Sequence, residues 1–386
     1  GQVTDEATVT VAGEGTYTID QATGKVTFKP EPGFTGTANG VTVSVTAPVG
    51  RDKDGNVPAD ALKTATAKYT PTVTPITLTP TNKVSEDVQN VPQTQTPTFE
   101  LSNDKTAEIT SKKLVDPATG QPTDATTVTV AGEGSYTIDP TTGAVTFVPE
   151  KDFVGTAKGV TVQATATIKN EDGKTTTITA DATYTPTVVP AVPTAQPAKS
   201  IDVQGATQKG KPTFEGTTVT VNGEQKPVTI KENSYTLVDK DGNEVTSTPA
   251  YAEDGTTVIG THTIDPTTGE VTFTPTDKSY SGKVTPVSVQ AESSNGIKVS
   301  TTYTPEIVPV TPTAENAATK DIQGKTQKGK PTFEGGKATV DGVEKTVEID
   351  EDTPATFEDG STTKTIPGEG TYTVAPDGTV TFVPEK

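Results

Sequence analysis

Residues 132–149 read GEGSYTIDPTTGAVTFVP, two short arms around a turn. Apolar side chains alternate with polar ones on both arms, at Tyr136, Ile138, Val145 and Phe147. Such alternation is typical of a strand with one buried face. In the turn, the proline presets φ early and the glycine supplies a positive φ at the end. The stretch therefore predicts a β-hairpin.

This stretch occurs four times along the chain. Its marker position is held by Tyr17, Tyr136, His262 and Tyr372. A Pro-Thr-Phe-Glu opener with the same period contains Phe99, Phe214 and Phe333, and a Tyr-Thr-Pro closer begins at Tyr69, Tyr184 and Tyr303. Self-similarity at a regular period indicates tandem modules. The first copy lacks the opener and the last lacks the closer, so we expect two complete repeats between two partial ones.

The composition limits what each repeat can bury. Leu, Ile, Val and Phe make up about 19% of the 386 residues, whereas Thr alone accounts for 83. A share below about 20% often marks disorder, but here the apolar residues keep fixed places on alternating arms. With about seven short strands per repeat, we predict an all-β fold: tandem, immunoglobulin-like β-sandwich modules joined by Pro-rich linkers as an extended array.

The repeats also predict domain boundaries and a core. We place partial repeats at 1–74 and 328–386, complete repeats at 94–190 and 209–309, and linkers at 75–93, 191–208 and 310–327. Spaced prolines favour extended, semi-rigid backbone in those linkers. The predicted core of the second repeat is Phe99, Leu114, Val128, Val130, Tyr136, Ile138, Val145, Phe147, Phe153, Val160, Val162 and Tyr184.

Charge and composition argue against several partners and sites. A net charge of −19 and a pI near 4.5 disfavour nucleic acid or an anionic membrane as the main partner. Without cysteine there is no disulfide and no thiolate ligand. No apolar run approaches the roughly 18 residues of a membrane span, so we expect no membrane insertion.

His262 and three acidic turns are the first candidates for chemistry. His262 takes the place of a tyrosine in one repeat only, so we expect packing rather than catalysis. The acidic turns lie at residues 52–56, 170–173 and 239–244. An EF-hand loop needs Gly at position six and Glu at position twelve, but these turns have Gly at position four, as a tight β-turn requires. We interpret them as turns.

A Lys–Asn isopeptide crosslink is the remaining candidate. It requires a Lys, an Asn and an acid at equivalent positions of successive repeats. Asn39 aligns with Lys158 rather than with another Asn, and Asn170 has only Asn295 as a shifted counterpart. We therefore expect no crosslink, no catalytic, cofactor-binding or metal site, no cofactor, and no enzyme.

The ordered set of motifs resembles the CshA-type fibril repeats of cell-wall-anchored streptococcal surface adhesins. The matching parts are the Phe-Glu-Gly opener at Phe214 and Phe333, the Gly-Glu-Gly-Thr-Tyr-Thr core at 13–18 and 368–373, the Thr-Gly-x-Val-Thr-Phe-x-Pro arm at 142–149 and 268–275, the Phe-x-Gly-x-Ala element at 34–38 and 153–157, and the closer. The third repeat departs from the pattern at His262, Tyr280 and Pro286. In that repeat Leu237 lies 23 positions after Phe214, whereas in the second repeat Leu114 lies 15 positions after Phe99.

This resemblance implies β-sandwich modules that form the stalk of an extracellular, cell-wall-anchored bacterial fibril. It implies contacts with neighbouring repeats, and adhesion to host extracellular matrix protein or other bacterial cells through a separate head region. A non-catalytic stalk is our leading hypothesis. The alternative is that the repeats themselves bind host matrix proteins, glycans or sister fibrils along exposed strand edges.

Overall fold

The computed structural model describes residues 6–386, which are all-β apart from one 3₁₀ turn at Ala59–Ala61. The chain divides into two units. Unit 1 runs to Pro190 and includes Thr220–Glu224, and unit 2 contains Ala191–Val219 and Gln225–Lys386. Because the sequence is rich in Thr and Val and poor in Leu, it favours strands over helices throughout.

Unit 1 holds the strands of the first two repeats. In the first repeat they are β1 (Thr8–Val11), β2 (Gly15–Ile19), β3 (Val26–Pro30), β4 (Gly36–Thr37), β5 (Val41–Pro48), β6 (Leu62–Tyr69) and β7 (Thr72–Val73). In the second repeat they are β8 (Leu78–Thr81), β9 (Lys83–Val88), β10 (Gln93–Gln95), β11 (Thr98–Leu101), β12 (Ala107–Asp116), β13 (Gln121–Pro122), β14 (Thr127–Val130), β15 (Gly134–Ile138), β16 (Val145–Pro149), β17 (Gly155–Thr156), β18 (Val160–Lys169) and β19 (Thr175–Val189).

Unit 2 holds most of the strands of the third and fourth repeats. In the third repeat the strands are β20 (Thr194–Gln196), β21 (Ala198–Val203), β22 (Gln208–Gly210), β23 (Thr213–Glu215), β24 (Thr217–Val221), β25 (Glu224–Val228), β26 (Thr236–Val238), β27 (Glu244–Val245), β28 (Ser247–Tyr251), β29 (Val258–Ile264), β30 (Val271–Pro275), β31 (Gly282–Lys283), β32 (Val287–Glu292) and β33 (Lys298–Val308). In the fourth they are β34 (Thr313–Glu315), β35 (Gln327–Gly329), β36 (Thr332–Glu334), β37 (Lys337–Val340), β38 (Val343–Thr346), β39 (Thr363–Ile366), β40 (Gly370–Val374) and β41 (Val380–Pro384).

The second repeat shows the sandwich most completely. One sheet has the order β10-β16-β15-β14, and the other has the order β13-β12-β18-β19-β17 with β9 added alongside β19. The predicted hairpin is confirmed as β15–β16, with Tyr136 opposite Phe147 and Ile138 opposite Val145. At its turn the Asp139 carboxylate accepts the N–H groups of Thr141 and Thr142.

The predicted core of this repeat is confirmed residue by residue. Nine of its members are buried together, and Phe99, Val130 and Phe153 pack against them half-buried. Val188 belongs to the same cluster but was not predicted. It was missed because it lies beyond the Tyr-Thr-Pro closer, in a segment whose prolines suggested a spacer.

Two of the three predicted linkers, 75–93 and 191–208, have most of their residues in paired strands, whereas residues 310–327 have few. Within 75–93, β8 pairs with β11, and β9 runs parallel to the end of β19 with Lys83 opposite Tyr184 and Val88 opposite Val189. Within 191–208, β20 pairs with β23, and β21 runs parallel to β33. We call β9 and β21 the opening strands, and β19 and β33 the closing strands, of their repeats.

The fourth repeat shows what an opening segment does without a partner. Residues 317–322 align with β9 and β21, but no closing strand lies beside them in the described part of the chain, and they form no strand. Ile322 is 70% exposed, whereas its counterparts Val88 and Val203 are 2% and 8% exposed. In the second and third repeats, by contrast, the corresponding segments are strands paired with a closing strand.

The extra residues of the third repeat form the hairpin β24–β25, and the fourth repeat has the corresponding hairpin β37–β38. The turns are Asn222-Gly223 and Asp341-Gly342, and all four residues have positive φ. Asn-Gly and Asp-Gly are strong signals for two-residue hairpin loops. We call these two elements the inserted hairpins.

Candidate functional site

The polar centre of the first and second repeats is a buried glutamate beneath the marker tyrosine. In the fourth repeat Tyr372 donates to Glu369 at 3.4 Å in the same way, but this glutamate is exposed. In the second repeat, Glu133 is 6% exposed and accepts the Lys158 N–H at 2.8 Å and the Tyr136 hydroxyl at 3.4 Å. The glycine that follows is also required, because a Cβ on Gly134 would lie 2.2 Å from the Val148 carbonyl oxygen. The Gly-Glu-Gly motif is thus a packing motif rather than a phosphate loop.

The first repeat has the same arrangement with a clear electrostatic effect. Glu14 accepts the Asn39 N–H at 2.8 Å and the Tyr17 hydroxyl at 3.1 Å. The Asn39 N–H holds the pKa of Glu14 below its ordinary value, and burial raises the pKa of the Tyr17 hydroxyl. The glutamate is therefore an ionised acceptor at neutral pH, as a structural hydrogen bond requires.

The Glu133 side chain should contribute more to the free energy of unfolding than the tyrosine hydroxyl that it binds. We expect Glu133→Ala to lower the free energy of unfolding by about 2–3 kcal/mol, since it leaves the Lys158 N–H without its charged acceptor. The matched variant Tyr136→Phe should cost only about 0.5–1.5 kcal/mol, because Glu133 keeps its bond to Lys158. Urea unfolding of both variants measures the difference, and an equal cost for the two would contradict this assignment.

The third repeat replaces this centre with an apolar one. Ile259 stands at the position of Glu133, and His262 at that of Tyr136. The backbone N–H that would need the glutamate, that of Thr285, donates instead to the Tyr251 carbonyl oxygen at 2.9 Å. The third repeat therefore satisfies this N–H without a glutamate, and the two substitutions occur in the same repeat.

His262 is packed, as the sequence suggested. It is 1% exposed, with the Phe273 ring at 5.5 Å and the Tyr303 ring at 5.9 Å. Neither ring nitrogen has a hydrogen-bond partner. Burial lowers the pKa of His262 to about 4, so the ring is neutral at pH 7. A general base must come within hydrogen-bond reach of the proton that it takes, and the His262 ring is almost fully buried.

A second polar cluster was not predicted, and it ties the opening strand to the closing strand. In the second repeat Ser85 bonds to the Tyr184 hydroxyl at 2.7 Å and to the Gln93 side chain, whose amide donates to the Thr187 carbonyl oxygen at 2.9 Å. The third repeat has the same cluster in Ser200, Gln208 and Tyr303. The available signal was the Gln that recurs six residues before each opener Phe.

The acidic turns satisfy their own carboxylates. Asp239 accepts the N–H groups of Asp241 and Asn243 and the side-chain amide of Asn243. Asp52 accepts N–H groups two and four residues further along the chain in the same way. Hydrogen bonding lowers the pKa of Asp239. Between residues 6 and 386, no group of three or more His, Asp or Glu side chains is placed to hold a metal ion.

Three of the four crosslink candidates, Asn39, Lys158 and Asn295, make other hydrogen bonds. Asn39 and Lys158 align because each offers its backbone N–H to a buried glutamate. The Asn295 amide, which is buried, donates to the Ala191 carbonyl oxygen at 3.0 Å. The Asn170 side-chain nitrogen is buried without a hydrogen-bond partner.

Several clefts open on the described part of the chain. One in unit 2 has a volume of about 380 Å³ and lies between β21, β33 and the loop at 283–286, with Lys199, Glu253, Lys283 and Glu306 at its edge. The volume of this cleft lies at the low end of the range of about 300–1,000 Å³ that is usual for ligand pockets, which are mostly apolar.

The described residues contain no helix long and apolar enough to cross a membrane.

Several solved structures resemble the chain, at low identity and with low TM-scores. Protocadherin gamma B2 extracellular cadherin domains 3–6 are 11% identical, with 76% of this chain covered and a TM-score of 0.21; the chain spans 65% of that structure. Mouse cadherin-23 EC22–24 is 12% identical (81% of this chain, 89% of that one, TM-score 0.24). Titin domains Z1Z2 in complex with telethonin are 19% identical (61% and 98%, TM-score 0.25). No curated protein matches.

A family match accounts for nearly the whole chain. The family described as the surface adhesin CshA repetitive domain matches four times in tandem, at residues 1–73, 75–188, 190–307 and 309–386. The second and third matches begin before β8 and β20, so they include the opening strands that the predicted boundaries left out. With only three residues between the matches, the chain belongs to the CshA repetitive-domain family of surface adhesins.

Proposed function

We propose that this chain is a non-catalytic stalk of a bacterial surface fibril. Its repeats would project an adhesive head from a Gram-positive cell wall, and the adhesion itself would occur at that head. The observation that carries the proposal is the parallel pairing of the opening and closing strands within a repeat.

This pairing sets where the chain enters and leaves a repeat. In the second repeat, β8 and β9 follow one another along β19, and Asn82 between them accepts the Thr183 N–H. Because the opening strand runs parallel to the closing strand, the chain enters at one end of β19 and leaves at the other. At roughly 3.3 Å per residue, the 15 residues of β19 span about 50 Å. A repeat with its ends at opposite poles suits a linear array.

The same pairing suits a stalk under tension. Force applied at the two ends of a repeat would pull β9 and β19 in opposite directions along their length. All six of their paired positions would then be loaded together rather than opened one at a time. The Ser85–Tyr184 bond joins the same two strands. Each repeat would therefore act as a load-bearing link.

Small-angle X-ray scattering of the 386-residue chain tests the stalk proposal. A single compact globule of this length would have a radius of gyration of about 21 Å. We expect a value at least about 1.5 times larger, with the scattering profile of an elongated particle. A value near that of the globule would overturn the proposal. Micromolar binding of soluble matrix proteins by these repeats would favour the alternative of a direct binding module.

A further inference from the structure

The inserted hairpin of the fourth repeat forms a sheet of its own. It is a two-stranded element, β37–β38, with Ala338 opposite Lys345 and Val340 opposite Val343. Within unit 2, β37 lies beside β21, the opening strand of the third repeat. We propose that the inserted hairpin is a brace that fixes its repeat to the preceding one. The inference rests on the proposed stalk function.

An ion pair holds the brace. The Lys345 ammonium lies 2.7 Å from an Asp202 carboxylate oxygen, and the other oxygen of that carboxylate accepts the Val203 N–H at 2.7 Å. The side chains are 40% and 20% exposed, respectively. An aspartate that is oriented by its own backbone and partly shielded from water binds a cation more firmly than a fully exposed one does.

One further hydrogen bond crosses the same joint. The Gln204 side-chain oxygen accepts the Val310 N–H at 3.3 Å, and the Gln204 side-chain amide is held within the third repeat by the Ser279 carbonyl oxygen. Hydrogen bonds from Thr353 and Asp352 lower the pKa of Asp350, and the charge of Lys278 in the third repeat adds to that shift. At the base of the hairpin, a Cβ on Gly336 would lie 2.4 Å from the Thr311 carbonyl oxygen.

Unit 1 contains a contact between the same two kinds of element. The hairpin turn at Thr220–Glu224 is grouped with unit 1. There the Asn222 N–H donates to the Glu86 carboxylate at 2.6 Å, and the Asn222 side-chain amide donates to the Glu86 carbonyl oxygen at 3.2 Å. Glu86 belongs to the opening strand β9, so an opening strand receives an inserted hairpin in both units.

The joint between the first and second repeats offers an internal comparison. The second repeat has no inserted hairpin between Phe99 and Leu114. At this place in unit 1, a cleft of about 150 Å³ lies among Phe34, Val73, Ile76 and Ile168. We therefore expect this joint to bend more freely than the joint between the third and fourth repeats.

Pulsed electron spin resonance on the full chain tests the brace. The chain has no cysteine, so nitroxide labels can be placed at exposed positions by Asp241→Cys with Glu351→Cys across the braced joint, and by Lys25→Cys with Lys105→Cys across the unbraced one. We expect a narrow distance distribution across the braced joint and one at least about twice as wide across the other. Equal widths would overturn the inference.

Charge reversal tests the ion pair itself. Lys345→Glu should widen the distribution across the braced joint about twofold, and adding Asp202→Lys should restore the narrow one. No widening in the single variant, or no recovery in the double variant, would overturn the inference. If scattering shows an elongated chain but the widths of the distance distributions do not change, the brace is refuted and the stalk proposal stands. If scattering shows a compact chain, the stalk proposal is refuted whatever the widths of the distance distributions.

Discussion

A fragment of residues 75–190 is expected to unfold cooperatively, whereas a fragment of residues 94–190 is expected to show no cooperative transition. The shorter fragment is the domain predicted from sequence motifs alone. It lacks β8 and β9, and with them the buried side chains of Leu78 and Val88. It also leaves the Tyr184 hydroxyl without Ser85. Circular dichroism melts of the two fragments measure the difference.

The magnitude follows from the groups removed. Burial of Leu78 and Val88 contributes about 1.5–3 kcal/mol each, and an orphaned tyrosine hydroxyl costs about 1–3 kcal/mol. A loss of about 5 kcal/mol is comparable with the whole stability of a small domain, about 5–15 kcal/mol. A cooperative melt of the short fragment at the same temperature would show that the opening strand is dispensable.

A pair of point variants in the full chain provides the matched control. Val88 is 2% exposed and Val84, on the same strand, is 73% exposed. Val88→Asp should destabilise the second repeat by about 3 kcal/mol or more, because it buries an unpaired charge. Val84→Asp should change the stability by less than about 0.5 kcal/mol. Similar losses in the two variants would contradict the packing of β9.

The third repeat is expected to begin losing stability as the pH falls below 6.5, whereas the first repeat, whose Glu14 has a lowered pKa, begins to lose stability only below about pH 4.5. His262 has a pKa of about 4 when folded, against an ordinary value of 6.5. As the pH falls below 6.5, His262 becomes protonated in the unfolded state but stays neutral in the folded state, and this difference favours unfolding. The loss is complete below the folded pKa and amounts to about 3 kcal/mol.

The groups around His262 support this reading. The rings packed against it are Phe273 and Tyr303, and the tyrosine hydroxyl is bonded to Ser200. Ile259 takes the place of the glutamate that could have stabilised a charged ring. The carboxyl groups whose pKa values are lowered lose their contribution only below their ordinary values, 3.8 for Asp254 and 4.5 for Glu14. Between pH 6.5 and pH 4.5 the loss expected from these shifts therefore comes from His262 alone.

Hydrogen exchange of β29 and β30 reports on this repeat within the full chain, with His262→Phe as the control. The phenylalanine fills the site without a titratable group. In the variant, the hydrogen-exchange protection of β29 and β30 should therefore not change through histidine protonation between pH 6.5 and pH 4. The ratio of exchange rates between the two proteins should rise about a hundredfold from pH 7 to pH 4, since each 1.4 kcal/mol is a factor of ten. A constant ratio would show that His262 is solvated or bonded in the folded state.

The hairpin and core could be predicted because their signals are local. Tyr136, Ile138, Val145 and Phe147 alternate around a turn whose proline and glycine fix its shape, so a window of eighteen residues suffices. The Asn-Gly and Asp-Gly turns of the inserted hairpins are an equally local signal, which the greater separation of Phe214 and Leu237 alone does not reveal.

The opening strands could not be predicted from local signals. Ser85 and Tyr184 lie 99 residues apart, and only the fold brings them together. Parallel pairing of distant segments leaves no turn between them, and spaced prolines made the segment resemble a linker. The buried Glu133 was also missed, because a glutamate between two glycines ordinarily predicts an exposed turn.

Single-molecule stretching of the chain tests the load-bearing repeat most directly. The roughly 107 residues from 83 to 189 lie behind the first parallel pair, and at about 3.3–3.6 Å each they would release about 350 Å of chain. We expect two discrete unfolding steps, one for each complete repeat, and each should lengthen the chain by about 350 Å. Smooth extension without steps, or steps that shorten because the opening strand peels away first at low force, would contradict this prediction.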